Sequence, residues 1–250
     1  MAFETDRRVL TGTAQQVAYD EGLRAYMLRV YNYMASGLAL TGIVAYMIAQ
    51  ASIVTGDAGQ IAGLTELGNT LFNTPLKWVV MLAPLAFVMF LSFGLHKMSA
   101  TAAQGVFWAF AAAMGVSMAT IFMAFTGTSI ARVFFISAGT FAGMSLYGYT
   151  TRRDLTRFGS FLFMGLIGVI IASLVNLFLE SSALQFAISV IGVLVFVGLT
   201  AYDTQNIKNE YSEHHDRETA GKLAISGALR LYLDFINLFV MLLHLFGDRR

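Results

Sequence analysis

Two aspartates and one arginine stand in otherwise apolar stretches of this chain. Asp203 follows the run Leu184–Tyr202, and Arg230 and Asp234 lie inside Leu223–Phe246. Ionisable groups at membrane depth are expensive, so each is a functional candidate. Two carboxylates on successive helices, once within hydrogen-bond reach, cannot both ionise cheaply and hold one proton between them. The shared proton ties the helices together and its loss makes them repel, which is a pH-sensitive latch. The same oxygens suit a hard cation. Calcium takes six to eight oxygens, so Asp203 and Asp234 make a weak site that Asn237, backbone carbonyls or water would complete.

Blander arrangements compete with this one. Asp203 can be an interfacial carboxylate hydrated by headgroups, and Arg230 precedes Asp234 by one helical turn, so the two can form an internal ion pair. Depth also separates the aspartates, because Asp203 ends one apolar run while Asp234 lies about 17 Å into the next at 1.5 Å per residue. Extending the sixth span to Ile207 and starting the seventh near Gly227 narrows that gap. His214 and His215, beside Glu213 and Asp216, read as a solvated linker, with a loop metal site as the sharper alternative. His244 reads as a polar cap on the last turn. Ser173 and Asn176 read as interhelical hydrogen-bonders. No P-loop, zinc-protease helix motif or serine nucleophile elbow is present.

The elements that position these groups follow from composition. Of 250 residues, 57% are hydrophobic and 12% charged, against roughly 25% charged in ordinary soluble domains. Such a surface calls for lipid as its solvent. A net charge of +1 and the lack of a basic cluster exclude a nucleic-acid binder. The absence of cysteine excludes disulfides, thiol catalysis and cysteine-bound zinc. Prolines occur only at Pro75 and Pro84, so most helices should run unbroken.

Charges delimit seven candidate spans, each near the ~20 residues a membrane requires: Val30–Thr55, Trp78–Leu95, Thr101–Phe125, Val133–Thr150, Phe158–Leu179, Leu184–Tyr202 and Leu223–Phe246. The expectation is an all-α membrane protein, with residues 1–29 as a cytoplasmic or interfacial segment and 30–250 as the transmembrane domain. Residues 1–29 mix acids and bases without an apolar core, so the first span should serve as both targeting signal and retained helix. Leu23, Tyr26, Met27, Val30 and Met34 recur at helical spacing, suggesting an amphipathic lead-in at the interface. Gly139 and Gly143 form a GxxxG, which permits close helix approach.

Orientation follows from Lys and Arg. With the N-terminus inside, the inner segments hold Arg7, Arg8, Arg24, Arg29, Lys97, Arg152, Arg153, Arg157, Lys208, Arg217 and Lys222. The outer ones hold Lys77, Arg132, Arg249 and Arg250. The excess favours a cytoplasmic N-terminus. A seventh full span then places the C-terminus outside, whereas a re-entrant segment would return it.

Leu231-Tyr-Leu-Asp-Phe-Ile-Asn-Leu-Phe239, taken with Ala201-Tyr-Asp-Thr-Gln-Asn-Ile-Lys208, resembles the transmembrane Bax-inhibitor-motif family. Val30-Tyr-Asn-Tyr-Met-Ala-Ser-Gly-Leu-Ala-Leu-Thr-Gly42 is similar to its bacterial branch, and the likeness runs from about Tyr19 to the end. The resemblance implies seven helices with the last one central, wrapped by the other six. It also implies a calcium leak, not an enzyme, with no cofactor and calcium or another cation as cargo, gated by paired aspartates near the cytoplasmic side. Asp203 and Asp234 match that pair. Lys97 is the loose counterpart of the family's basic residue after the second helix. Arg230 departs from the small or neutral residue expected before the second aspartate, so it joins Lys97 and Asn237 as a modulator. Some bacterial relatives are linked instead to a membrane-bound AAA protease, which implies a non-conducting regulator as the alternative. Intramembrane aspartyl proteases also pair two aspartates. They carry Gly-x-Gly-Asp and a later Pro-Ala-Leu, whereas Leu231-Tyr232-Leu233 precedes Asp234 and no proline follows Pro84.

Overall fold

The computed structural model describes residues 2–56 and 60–250, with side chains at Val17 and from Tyr19 onward. Among these residues eight α-helices follow in chain order: α1 (Ala2–Ser52), α2 (Glu66–Asn73), α3 (Leu76–Gly94), α4 (Ala100–Ala124), α5 (Gly127–Thr150), α6 (Thr156–Leu179), α7 (Ser182–Asn209) and α8 (Arg217–Phe246). A short antiparallel hairpin, β1 (Ile53–Thr55) with β2 (Ile61–Leu64), joins α1 to α2. Among the described residues, seven helices are long and apolar enough to cross a membrane, α2 being too short. Side-chain caps fix several starts. Ser99, Thr126, Ser181 and Asp216 each accept from a backbone N–H in the first turn of the helix that follows, satisfying donors that no intrahelical carbonyl can reach.

The molecule is apolar outside as well as inside. Phe93 on α3 and Phe178 on α6 are 76% and 88% exposed, among many exposed Leu, Ile, Val and Met side chains along these helices. Water would penalise that surface and hydrocarbon does not. The chain is a multi-pass membrane protein.

The most buried helix is α8, which packs on α1, α3, α4, α5 and α7, while α6 packs chiefly on α7. Its Tyr232 lies edge-on to Phe107 and Phe110 of α4. The Tyr232 hydroxyl is 2.6 Å from Thr41 Oγ1, which donates to the Ala111 carbonyl at 2.8 Å. One hydroxyl pair thus links α1, α4 and α8 where no water is available to satisfy either group.

The structure corrects several boundaries. Helix α1 stops at Ser52, and Ile53–Thr55 is strand rather than span. Leu23, Tyr26, Met27, Val30 and Met34 are not an interfacial stripe, because all five are buried in the core. The same periodicity that suits headgroups also suits packing on α8. Arg132, which the charge pattern leaves between two spans, lies within α5. Gly139 and Gly143 face open space. The glycine that brings helices together is Gly148, where a Cβ would stand 2.2 Å from the Ala201 carbonyl oxygen of α7.

Helix α8 is long and apolar enough to cross a membrane, and it runs the length of the bundle. Its end meets the α4–α5 turn, where Thr126 N–H donates to the Asp248 carbonyl and Arg250 N–H to that of Ala124, each at 3.0 Å. Arg132 also pairs with Asp248 at 3.3 Å. At the opposite end, Lys208 Nζ donates to the Tyr149 carbonyl where α5 finishes. The side chains of Arg7 and Arg8, which contribute to the orientation argument, lie outside the described residues.

Candidate functional site

Tyr202, Thr204, Gln205, Ile207 and Lys208 engage different neighbours, which is how α7 holds Asp203 in one position. Tyr202 stands at 90° to the ring of Phe163 on α6. Thr204 Oγ1 lies 3.0 Å from Ser145 Oγ of α5, which in turn lies 2.7 Å from the Tyr31 hydroxyl of α1. Gln205 clamps the α5–α6 connection, accepting from Leu155 N–H and donating to the Arg153 carbonyl, both at 2.8 Å. Ile207 fills the space left by Gly227 on α8. Asp203 is left to face α8.

Asp203 and Asp234 meet there through a side-chain hydrogen bond. They are 9% and 5% exposed. The depth mismatch expected from the sequence disappears because α7 continues through Asp203 to Asn209, and α8 begins at Arg217. Both helices overhang the pair and bring the two residues level. One oxygen, Oδ2 of Asp234, is buried with no hydrogen-bond partner, an exposed cost that most buried polar atoms avoid.

Arg230 does not form its ion pair with Asp234. Its Nη2 donates to both carboxylate oxygens of Glu210, at 2.7 Å to Oε1, across the α7–α8 junction. Its charge nonetheless acts on both aspartates, and Glu210 acts on Asp203. Tyr26 of α1 lies within the field of Arg230 and Glu210. Its hydroxyl and the Arg230 Nε are also buried without partners. Tyr26 packs on Tyr211, and Tyr19 packs there too. Partial burial raises the pKa of the Tyr211 hydroxyl, with Glu213 and Tyr19 adding to the effect.

The remaining candidates fall away from the pair. Lys97 is exposed in the single 3-10 turn Leu95–Lys97, and among the described residues the cation acting on both aspartates is Arg230. Asn237 turns its amide nitrogen back to donate to the Leu233 carbonyl of its own helix at 2.8 Å. Among the described residues, no three His, Cys, Asp or Glu side chains are grouped to hold a metal ion. His214 and His215 are exposed, and Asp216 caps α8. Asn176 joins α6 to the start of α7 through Gln185, whereas Ser173 bonds only its own helix. His244 packs edge-on against Phe125 beside the chain end.

Sequence reasoning missed Glu210 and Tyr26. Glu210 follows Asp203 by seven residues, two turns along one helix face. That signal is readable only if the helix is carried past Asp203. Tyr26 reads from the sequence as part of an interfacial stripe, and nothing in its spacing distinguishes that surface from the core.

A family model described as inhibitor of apoptosis-promoting Bax1 matches residues 23–250. The chain belongs to this family. Among its relatives, RP147 of Rickettsia prowazekii is 49% identical over 97% of this chain and 98% of its own length. The inner membrane protein YbhL of Escherichia coli K12 is 47% identical over 92% and 94%. A Caulobacter vibrioides protein is 42% identical over 97% and 96%. The Bax1-inhibitor match includes every residue around the aspartate pair, so the site belongs to the shared domain rather than to an appended segment.

Proposed function

We propose that this Bax1-inhibitor family protein is a pH-sensitive cation leak of the inner membrane, with calcium as its principal cargo and the Asp203–Asp234 pair as its latch. One observation supports this above the others: two buried carboxylates on the last two helices share a hydrogen bond while an oxygen of Asp234 lacks any partner. A carboxyl pair bonded in this way carries one proton. Removing it leaves two negative charges in contact at low dielectric, and that repulsion opposes the α7–α8 packing. The same deprotonation offers oxygens to a passing cation. In this reading the residues bind and gate, and none performs catalysis. The relative named as an inner membrane protein supports the location. The Lys/Arg asymmetry supports a cytoplasmic N-terminus, and in this reading α8 is a seventh crossing that leaves the C-terminus outside.

Calcium flux into liposomes holding the purified protein, scanned over pH, tests the reading. Asp203→Asn and Asp234→Asn should each flatten the pH response, since one partner no longer titrates. A full pH response in both variants would overturn the latch. No flux of calcium, sodium or protons from correctly folded protein would instead favour the non-conducting regulator of a membrane AAA protease.

A further inference from the structure

Asp203 and Ile207 lie along one face of α7, and Glu210, the C-cap, follows at intervals of four and three residues. Arg230 lies one turn before Asp234 on α8 and reaches across to Glu210. The ion pair therefore sits beside the aspartates, toward the end of the bundle where α7 finishes. A cavity of about 300 Å³ adjoins it between α3 and α8, lined by Ser92, His96, Ser226, Glu210, Arg230 and Leu233. Glu210 and Arg230 are about one-third exposed, whereas the aspartates behind them are nearly sealed. The pair occupies the boundary between the cavity and the dry site.

We propose that Arg230 is a tethered counter-cation that plugs the path between this cavity and the aspartate pair, and that Glu210 is the residue that parks it. The inference deepens the cation-leak reading and rests on it. Arg is charged at every accessible pH, so its guanidinium occupies a cation's place without competing protons. Its charge already acts on Asp203 and Asp234, and the Nε that Glu210 leaves unbonded is a donor in reserve. Three groups surround the plug from neighbouring elements: Glu210 at the end of α7, the unpartnered Tyr26 hydroxyl on α1 and His96 beyond α3. Glu210 holds the guanidinium at the cavity wall. Without Glu210, the two aspartates are the carboxylates left within the field of the guanidinium, and the plug moves inward onto them.

This arrangement predicts opposite signs from two neutralising changes. Arg230→Gln removes the plug and should raise calcium flux about tenfold at fixed pH, the scale on which close charge pairs act. Glu210→Gln should lower flux by a similar factor, because Arg230 re-pairs with the aspartates. The double variant should behave as Arg230→Gln alone, since Glu210 acts only through the arginine. Changes of the same sign, or an additive double variant, would overturn the proposal. A second measurement does not depend on flux. The chain has no native cysteine, so Ser226→Cys in the cavity should react with a small cationic thiol reagent in every background. Ile207→Cys should react only once Arg230 is replaced. Gated labelling without any flux would refute the leak and keep the plug; pH-dependent flux with unchanged labelling and unchanged flux in Arg230→Gln would refute the plug and keep the leak.

Discussion

Adding one methyl group at Gly148 should weaken the whole molecule. The new Cβ would stand 2.2 Å from the Ala201 carbonyl oxygen, against an ordinary contact of 3.4 Å or more. Helices α5 and α7 must then part locally by roughly 1 Å, and overpacking of this kind costs about 1–3 kcal/mol. The clash is with backbone, so no side-chain rotation relieves it. For a chain of this size, that cost lowers the melting temperature by about 5 °C. Ala201 is two residues from Asp203, and the hydroxyl contacts of Ser145 with Tyr31 and Thr204 cross the same seam. The shift therefore also loosens the element that positions the site. Thermal unfolding of detergent-solubilised protein, followed by intrinsic fluorescence, measures the effect. Gly139→Ala and Gly143→Ala serve as controls, because a Cβ there meets open space, and Ala also favours helix over Gly by about 1 kcal/mol. Wild-type melting of Gly148→Ala, or equal losses in the two controls, would refute the reasoning.

Two further outcomes follow from the ends of the helices. Asp216 caps α8, and its bonds to Thr219 hold its carboxyl below the usual 3.8. A depressed value in the fold means the carboxylate stabilises above pH 3.8 and the contribution fades as pH falls through the lower folded value. The melting-temperature gap between wild type and Asp216→Ala should thus be constant near neutrality and close in strong acid; a gap that widens on acidification would contradict the cap. For orientation, Gln60→Cys and Arg152→Cys occupy exposed positions at opposite ends of the bundle. A membrane-impermeant thiol reagent added to intact cells should label the first and spare the second, and the reverse pattern would invert the proposed topology.

The sequence by itself determined the solvent of this protein, its seven crossings and the pair of residues most expensive to bury. Each is a property of composition or of local runs: 12% charge cannot coat a water-facing surface, and charges interrupt apolar segments wherever those segments end. The motif around Asp203 and that around Asp234 were also legible, because each lies within a few consecutive residues. What only the tertiary structure decided depends on which helix faces which. Arg230 was free, by spacing, to bond Asp234 along its own helix, yet Glu210 at the end of α7 takes it, because a carboxylate brought across an interface lies closer to the guanidinium than the one a turn away. Periodicity marked Tyr26 and Val30 as one apolar face without saying whether lipid or protein covers it. GxxxG named two glycines on the wrong side of α5, and the contact fell to Gly148. In hydrocarbon an apolar face gains as little from protein as from lipid, so the hydrophobic pattern carries no partner information. The pairing of helices is settled by close packing and by the few polar bonds that must be made inside.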